Sequence, residues 1–558
     1  MNKTNKPAYI ASYDMVKAYD RGSIKFLLLV MEKMEFPEEF RRWVEMLHNG
    51  ATTRLILPTG LSREIAVTFS FRQGDPIALN LYILQHEPFL RVMRNNCSGL
   101  TITNFRQLDV DFCDDIENMS SDVHDLVLFD EIMKKYEAIS GAILSRNEKS
   151  KVMGLGAWKG KTDWPEEVSW IKTVEEMKIF GLTICPLYQN TLKKTWENVV
   201  RGFEKTLFSW SSRSLDTLDQ RVQVAKMFAM SKLYYVSQVL PLPKVFCQRI
   251  EKRLSRFIFL GRHERLQLSE LEDSPEHGGL CLLNIAVKTE CLLLRQMLRI
   301  LKRPEENSYH HIGYWLGCFL REDFPELFDL GPAAQFIHVK FPLHGQMIET
   351  LEEAMMRNEF TKTNMSGATT RIIYRSRMVD MLSPPKVEEK FPAIDFQDIV
   401  YPRLMNPVVE NKGRDIMFAL VHGLYKNRAR LFQQHRADDD LCPHPVCHAQ
   451  MLVQDLEHIF CSCLLVREAW QWGRGKMLEI LDGARPTPVS NSELILAIFP
   501  KTRQENEAVF FLSNYLLLVD SEVVTKKREL LTETLKGFIE AKMQAVVTRA
   551  VPQIHITL

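Results

Sequence analysis

A charge of one sign is the first thing this sequence lacks: 71 basic side chains stand against 70 acidic ones, a balance of +1 over 558 residues. A whole-chain basic excess, the usual footprint of a nucleic-acid binder, is therefore excluded, and any such binding must rest on local charge. Charges interrupt every hydrophobic stretch before it reaches the roughly 18 residues a membrane span needs, so no membrane partner is expected. The polar start, Met1 to Lys6, adjoins no apolar core of the signal-peptide kind. An intracellular location follows as an expectation, with nucleus and cytoplasm equally open. There the 11 cysteines are expected as thiols or metal ligands rather than disulfides. Repeats and low-complexity tracts are absent too.

What is present reads as globular protein. Hydrophobic residues make up 46% and charged residues 25%, which opposes disorder as the main state. The length calls for two or more domains. Residues 1–183 alternate strand-like and helix-like segments. Residues 184–300 read as helical with basic faces. Residues 301–436 read as helical with proline breaks such as Ser383-Pro384-Pro385. Residues 437–558 hold a Cys/His cluster and amphipathic helices.

In the first region, Tyr9-Ile10-Ala11-Ser12-Tyr13 is a β-rich run ending at Asp14. Ser23 suits the N-cap of a helix built on Phe26, Leu27, Val30 and Met34, which Phe36-Pro37 ends. A second helix from about Glu38 closes at Gly50. Arg54–Leu57 and Arg63–Val67 read as a hairpin around Pro58-Thr59-Gly60. Asp75-Pro76 reads as an N-cap and N1 proline opening a helix through Leu90. Leu108, Val110 and Phe112 alternate with Asp109, Asp111 and Cys113, which predicts a strand with its apolar side buried. That strand runs into Asp114-Asp115.

Adjacent acids alone are usually solvated turn residues. Here Asp14 also ends a β-rich run, and two strand-end sites can converge in one sheet. Three carboxylates meeting there can hold two divalent cations about 3.5–4 Å apart, which stabilise both the attacking and the leaving oxygen of a phosphoryl displacement. Mg²⁺ suits such a setting, because it takes few carboxylates plus substrate phosphates.

These residues resemble the ordered motifs of non-LTR (LINE-type) retrotransposon reverse transcriptases. Ser12-Tyr13-Asp14-Met15-Val16-Lys17-Ala18-Tyr19-Asp20 resembles motif A, and Phe71-Arg72-Gln73-Gly74-Asp75-Pro76 resembles motif B. Phe112-Cys113-Asp114-Asp115 resembles motif C. Ser140–Leu144 with Lys149-Ser150 resembles motif D, and Ile179-Phe180-Gly181-Leu182 motif E. Trp210, Arg221-Val222, the stretch around Phe257 and Gly261, and Gly278-Gly279-Leu280 are similar to the segment after the palm.

The resemblance implies an α+β fold. A polymerase palm with a small antiparallel sheet would be followed by helical thumb-like and C-terminal regions and a small zinc module. It implies RNA-directed DNA synthesis from an RNA template, a DNA primer and deoxynucleoside triphosphates. Asp14, Asp114 and Asp115 would be the catalytic Mg²⁺ (or Mn²⁺) ligands. Tyr19 would pack under the nucleotide sugar, unless it is a core aromatic. Arg72, Gln73 and Gly74 would meet template and incoming nucleotide, though Gly74 also reads as a backbone position before a cap. Lys149 would lie near the pyrophosphate or stand as an exposed lysine. Asp20 reads as a turn residue.

Cys442, Cys447, His458, Cys461 and Cys463 fall within 22 residues. Thiolates with an imidazole are zinc ligands in a reducing compartment. The string, with Trp470 after it, resembles the zinc segment that follows the polymerase in these elements. On that pattern Cys442, Cys447, His458 and Cys463 are the structural Zn²⁺ ligands, and His444, His448 and Cys461 stay as alternatives. Buried cysteines on a helix are the bland reading.

Lys244, Arg249, Lys252, Arg253, Arg256, Arg262 and Arg265 cluster, and four of them, Arg249, Lys252, Arg253 and Arg256, share a helical face opposite Ile250, Leu254 and Phe257. Such a stripe is often only solvated; after a palm it could track a phosphate backbone. Only 13 residues precede Asp14, where the family carries a fingers region. The expectation is an N-terminally truncated element whose positioning of substrate is incomplete. A nucleic-acid-binding protein without synthesis, or a relic, is the alternative.

Overall fold

The computed structural model describes residues 5–67, 69–72, 74–102, 105–146, 149–260, 268–302, 391–481, 489–499, 504–526 and 529–548, with 350, 353–354, 356–357, 369–379, 381 and 388 between them. Gln73, Arg262, Arg265, Gly261 and the Ser383-Pro384-Pro385 break lie outside the described residues, as does most of 301–390. The fold is mixed α and β, mostly helical with small sheets. The chain divides into two compact units, Met1–Asn198 with Met297–Glu352, and Val199–Gln296 with Glu353–Leu558.

The first unit is built on a five-stranded sheet. Its strands are β1 (Ala8–Asp14), β2 (Asp109–Phe112), β3 (Asp115–Ser120), β4 (Lys151–Leu155) and β5 (Lys172–Thr173), in the order β5-β4-β1-β3-β2. All neighbours are antiparallel except β4 and β5. Side chains alternate across a strand. In β1 this sends Tyr9, Ala11 and Tyr13 into the core and leaves Ile10, Ser12 and Asp14 on the other face.

Helices α3 (Ala78–Asn96) and α4 (His124–Ser140) supply the rest of that core: Phe89, Met93, Phe129, Met133 and Tyr136 pack with Tyr13 and Ile116. Tyr13 stacks on Phe129 with centroids 3.8 Å apart. Helices α1 (Ile24–Lys33) and α2 (Glu38–His48) pack with Phe71, Leu81 and Tyr82 in a second cluster. Ser23 Oγ caps α1 by accepting from Phe26 N at 3.3 Å, and Gly50 follows α2 at φ +71°. Helix α3 starts at Ala78 and runs to Asn96, later at both ends than the sequence predicts. Asp75 closes a turn instead, its Oδ1 accepting from Ile77 N.

His86 lies in this core between Tyr82 and Phe89, with its Nε2 unpartnered. Burial, with the charge of Arg94, lowers its pKa to about 4. The unfolded imidazole takes a proton near 6.5, so the unfolded state gains protons first as pH falls. Stability from this residue is therefore full above pH 6.5 and drains between 6.5 and 4, by up to a few kcal/mol. Urea midpoints of the wild type are expected to fall over that window. Those of His86→Phe should fall less; parallel curves would refute the assignment.

The second unit is helical. Helices α5 (Tyr188–Ser211, residues 199 onward) and α6 (Lys244–Ile258) belong to it, as do α7 (Asn411–Val421), α8 (Arg467–Leu481) and α9 (Glu505–Leu518). Gly413 on α7 would place a Cβ 3.4 Å from Ser513 on α9, so the two backbones run close. Arg403 is buried and held on two of its nitrogens: Nε donates to Glu505 Oε1 and Nη1 to the carbonyls of Ala497 and Phe499, while Nη2 has no partner among the described residues. Contrary to the sequence reading, one helical run, Glu505–Thr525, is long and apolar enough to cross a membrane. Most of its apolar window is buried against the rest of the protein, as a core helix is.

Candidate active site and candidate metal centre

The hairpin between β2 and β3 turns on Cys113 and Asp114, with Phe112 and Asp115 as the closing pair. Cys113 holds φ +60°, a left-handed position that favours glycine in such a two-residue turn. The strain sets Asp114 and Asp115 at the strand end. On the neighbouring strand Asp14 is the register partner of Asp115, so the two share a sheet face.

Asp115 is exposed, and Asp14 and Asp114 are half-buried. Partial burial and then the charges of Asp114 and Asp14 raise the pKa of Asp115. That is the electrostatic mark of three carboxylates gathered in one place. Their side chains are not drawn as tight as a mononuclear site. Among the described residues no His/Cys/Asp/Glu group but Cys442, Cys447, His458 and Cys463 brings at least three ligand atoms all within 4.8 Å of one another.

The turn after β1 is fixed from several sides. Val16 N donates to Ile143 O and Ser145 N to Asp14 O, both at 2.8 Å, which ties the segment after α4 to Asp14. That tie brings Lys149 Nζ to 3.1 Å from Asp14 Oδ2. Phe71 N donates to Tyr19 O, and Ser70 N to Gly22 O. Tyr19 stacks on Tyr82 with centroids 5.1 Å apart. Its hydroxyl is raised in pKa by partial burial, then by Cys113 and Asp114, so it stands beside the carboxylate turn. Asp20 is an exposed turn residue. Arg72 donates to Leu47 O at 2.7 Å at the end of α2, and Gly74 holds φ +89° with open space around it. Phe180 and Gly181 form a hairpin turn, both at positive φ, and the Phe180 ring meets Phe112 at 6.2 Å.

The sequence reading missed Gly22. A Cβ there would fall 2.2 Å from Phe71 Cε2, so only glycine lets the first turn approach the 71–75 loop. Gly22→Ala is expected to cost about 1–3 kcal/mol, the usual penalty of overpacking. A lower urea midpoint checks this, and an unchanged midpoint would contradict it.

The predicted faces of β2 are reversed. Val110 and Phe112 are 42% and 65% exposed, while the Asp109 and Asp111 carboxyls turn inward; Leu108 alone is buried as expected. Arg94 on α3 makes this possible, donating to Asp109 Oδ2 through two nitrogens and reaching Asp111 Oδ2 at 3.4 Å. Burial would raise Asp109, but the Arg94 hydrogen bonds outweigh it and lower its pKa. Burial and then Asp109 raise the pKa of Asp111. Glu117, also unforeseen, lies buried on the Asp14 face and accepts from Ser12 Oγ at 3.1 Å.

No protein-family profile matches the chain. In sequence it is 26% identical over 267 residues to the Transposon TX1 uncharacterized 149 kDa protein of Xenopus laevis. The match covers 45% of this chain and 19% of that protein, so the chain spans about a fifth of that relative's length. Among solved structures, telomerase from Candida albicans with a fragment of telomeric RNA aligns over 55% of this chain and 49% of its own, at 12% identity and TM-score 0.23. Telomerase from Candida tropicalis aligns over 56% and 49%, at 15% identity and TM-score 0.25. Overlap this loose carries no argument, and the sequence match to a transposon protein stands as the informative likeness.

The second candidate centre lies in the C-terminal segment. Cys442, Cys447, His458 and Cys463 are all buried, with ligand atoms within 4.8 Å of one another. Cys442 N donates to Leu452 O and Leu452 N to Cys447 O, a knuckle that sets the first two thiols. A π-helical turn, His458–Ser462, sets the other two ligands, and Cys463 N donates to His458 O. The Cys442 and Cys463 sulfurs are 3.9 Å apart. Tetrahedral Zn–S bonds of 2.3 Å place sulfurs about 3.8 Å apart. His458 Nε2 is buried with no partner, while Ser462 Oγ meets Nδ1 at 3.4 Å and orients the ring. The set is therefore compatible with a structural zinc ion. Cys461 is buried outside the group, and His448 faces Asp439 at 3.7 Å. His444 lies close enough to lower the His458 pKa, behind burial and the opposing Asp455, but stays outside the four.

On α6, Ile250, Leu254 and Phe257 are buried as expected, and Arg249, Lys252, Arg253 and Arg256 are exposed. Arg249 and Arg253 both pair with Glu204 of α5.

Proposed function

We propose that the chain carries the polymerase centre of a non-LTR retrotransposon reverse transcriptase and performs RNA-directed DNA synthesis. The observation that carries this reading is the convergence of Asp14, Asp114 and Asp115 at one strand end. The identity with a transposon protein supports the ancestry.

In this reading a primer 3′-hydroxyl attacks the α-phosphorus of a deoxynucleoside triphosphate. The new P–O bond forms as the α–β bridging bond breaks, and pyrophosphate leaves. Asp14, Asp114 and Asp115 would hold the Mg²⁺ or Mn²⁺ ions. When bound, such ions lower the charge cost at the attacking and leaving oxygens. Lys149, paired with Asp14, supplies positive charge or a proton to the pyrophosphate. Tyr19 packs under the sugar. Arg72, Gln73 and Gly74 meet template and incoming nucleotide, and the α6 basic face follows the duplex backbone. Zinc at Cys442, Cys447, His458 and Cys463 stabilises the C-terminal segment.

Primer extension tests the reading directly, with an RNA template, a labelled DNA primer, deoxynucleoside triphosphates and Mg²⁺ or Mn²⁺. Lengthened primer is expected. A folded, soluble sample that binds primer–template but never extends it would replace this reading with nucleic-acid binding alone.

A further inference from the structure

Phe208, on the outer face of α5, is 79% exposed, more than any other exposed aromatic among the described residues. Arg201 and Lys205 precede it at helical spacing and are exposed on the same face, with no ion pair among the described residues. Glu204 sits at the edge of that face and clasps Arg249 and Arg253 of α6, at 2.6 and 3.0 Å. Lys252 and Arg256 extend the α6 side and are also exposed. Two of these cations thus share the Glu204 carboxylate, and four more, Arg201, Lys205, Lys252 and Arg256, stand exposed on the same two helices as the protruding ring, in a chain whose total charge is near neutral.

Two features decide what such a face takes. An apolar protein partner covering Phe208 would have to bury several unpaired charges, which is costly. A polyanion removes that difficulty and gains from counterion release. The ring then asks for a flat apolar partner. A duplex keeps its base faces inside the stack, whereas an unpaired strand offers them, and every base stacks on an aromatic ring regardless of sequence.

We infer that the shared face of α5 and α6 binds single-stranded nucleic acid, with a base stacked on Phe208 and the phosphates held by Arg201, Lys205, Lys252 and Arg256. This rests on the nucleic-acid reading above, but needs neither the carboxylates nor catalysis. It adds to a duplex-tracking stripe a place for an unpaired stretch of template or product.

The test is equilibrium binding by fluorescence anisotropy on the full chain, without divalent metal or nucleotides. The probes are labelled oligo-dT and oligo-U of roughly 20 nucleotides and a blunt duplex of the same length. Phe208→Ala is expected to weaken single-strand binding about tenfold and duplex binding less than about twofold, with Phe208→Trp restoring it. The oligo-dT and oligo-U arms show whether DNA or RNA is preferred. Lys252→Ala with Arg256→Ala should flatten the salt dependence for both probe types. Equal single-strand affinity for wild type and Phe208→Ala would overturn the inference. So would sedimentation showing that Phe208→Ala dissolves a dimer while leaving single-strand binding intact. Primer extension run alongside separates the two readings: synthesis with an inert Phe208 sinks only this one, and Phe208-dependent binding without synthesis sinks only the polymerase.

Discussion

Asp114→Ala with Asp115→Ala is expected to abolish primer extension, by at least about a thousandfold, while leaving the fold and primer–template binding in place. The size follows from what the carboxylates would hold. Charge stabilisation by bound cations contributes several kcal/mol to a phosphoryl-transfer transition state, and about 4 kcal/mol is a thousandfold in rate. The fold survives because Asp114 lies in a turn and Asp115 is exposed. The like charges of Asp114 and Asp14 already press on Asp115, so removing charge there relieves repulsion. The variant should therefore melt no lower than the wild type, and bind a polyanion at least as tightly. Loss of extension together with a collapsed melting curve would instead mean that the pair is structural. Retained extension would remove these carboxylates from the chemistry.

The second large effect concerns the Cys/His centre. Purified chain is expected to carry one zinc ion, and Cys463→Ser to lose it along with the order of the C-terminal segment. Zinc binding in small Cys/His modules contributes about 10–16 kcal/mol, much of it folding free energy, so the loss should be felt well beyond the four ligands. Chelation should turn the buried Cys442, Cys447 and Cys463 thiols reactive toward a thiol reagent and lower the melting temperature. Cys461→Ser is the control. Its thiol is buried by ordinary packing, and burial with Glu457 nearby holds it well above the usual range, so zinc content should not change. Equal zinc content in wild type and Cys463→Ser would overturn the assignment.

Local signals made much of this legible in the sequence. The β-rich run ending at Asp14, the Ser23 cap and the Gly50 terminus are short-range effects, and each appears where the residues put it. The four zinc-compatible residues could be picked from spacing together with resemblance, since the ligands lie within one short segment. The face of β2 could not. Period-two reasoning buries Val110 and Phe112, but Arg94 on α3, outside the strand and 15 residues before Asp109, pairs with the Asp109 and Asp111 carboxyls and lets them turn in. A side chain outside the strand reverses the local preference, and nothing in the strand itself announces it. Gly22 was illegible for the same reason: its demand for glycine comes from Phe71, across the fold. Phe208 needed the folded surface, because a lone phenylalanine on a helix reads as core until its exposure is known.

The most direct test of the central claim is a count of Mn²⁺ ions by electron paramagnetic resonance, with a deoxynucleoside triphosphate and primer–template present. About two ions are expected per wild-type chain, as a two-metal centre requires, and their loss in Asp14→Asn and Asp115→Asn. Wild type that binds no more Mn²⁺ than those variants would show that the three carboxylates are not a cation site, and the polymerase reading would fall with it.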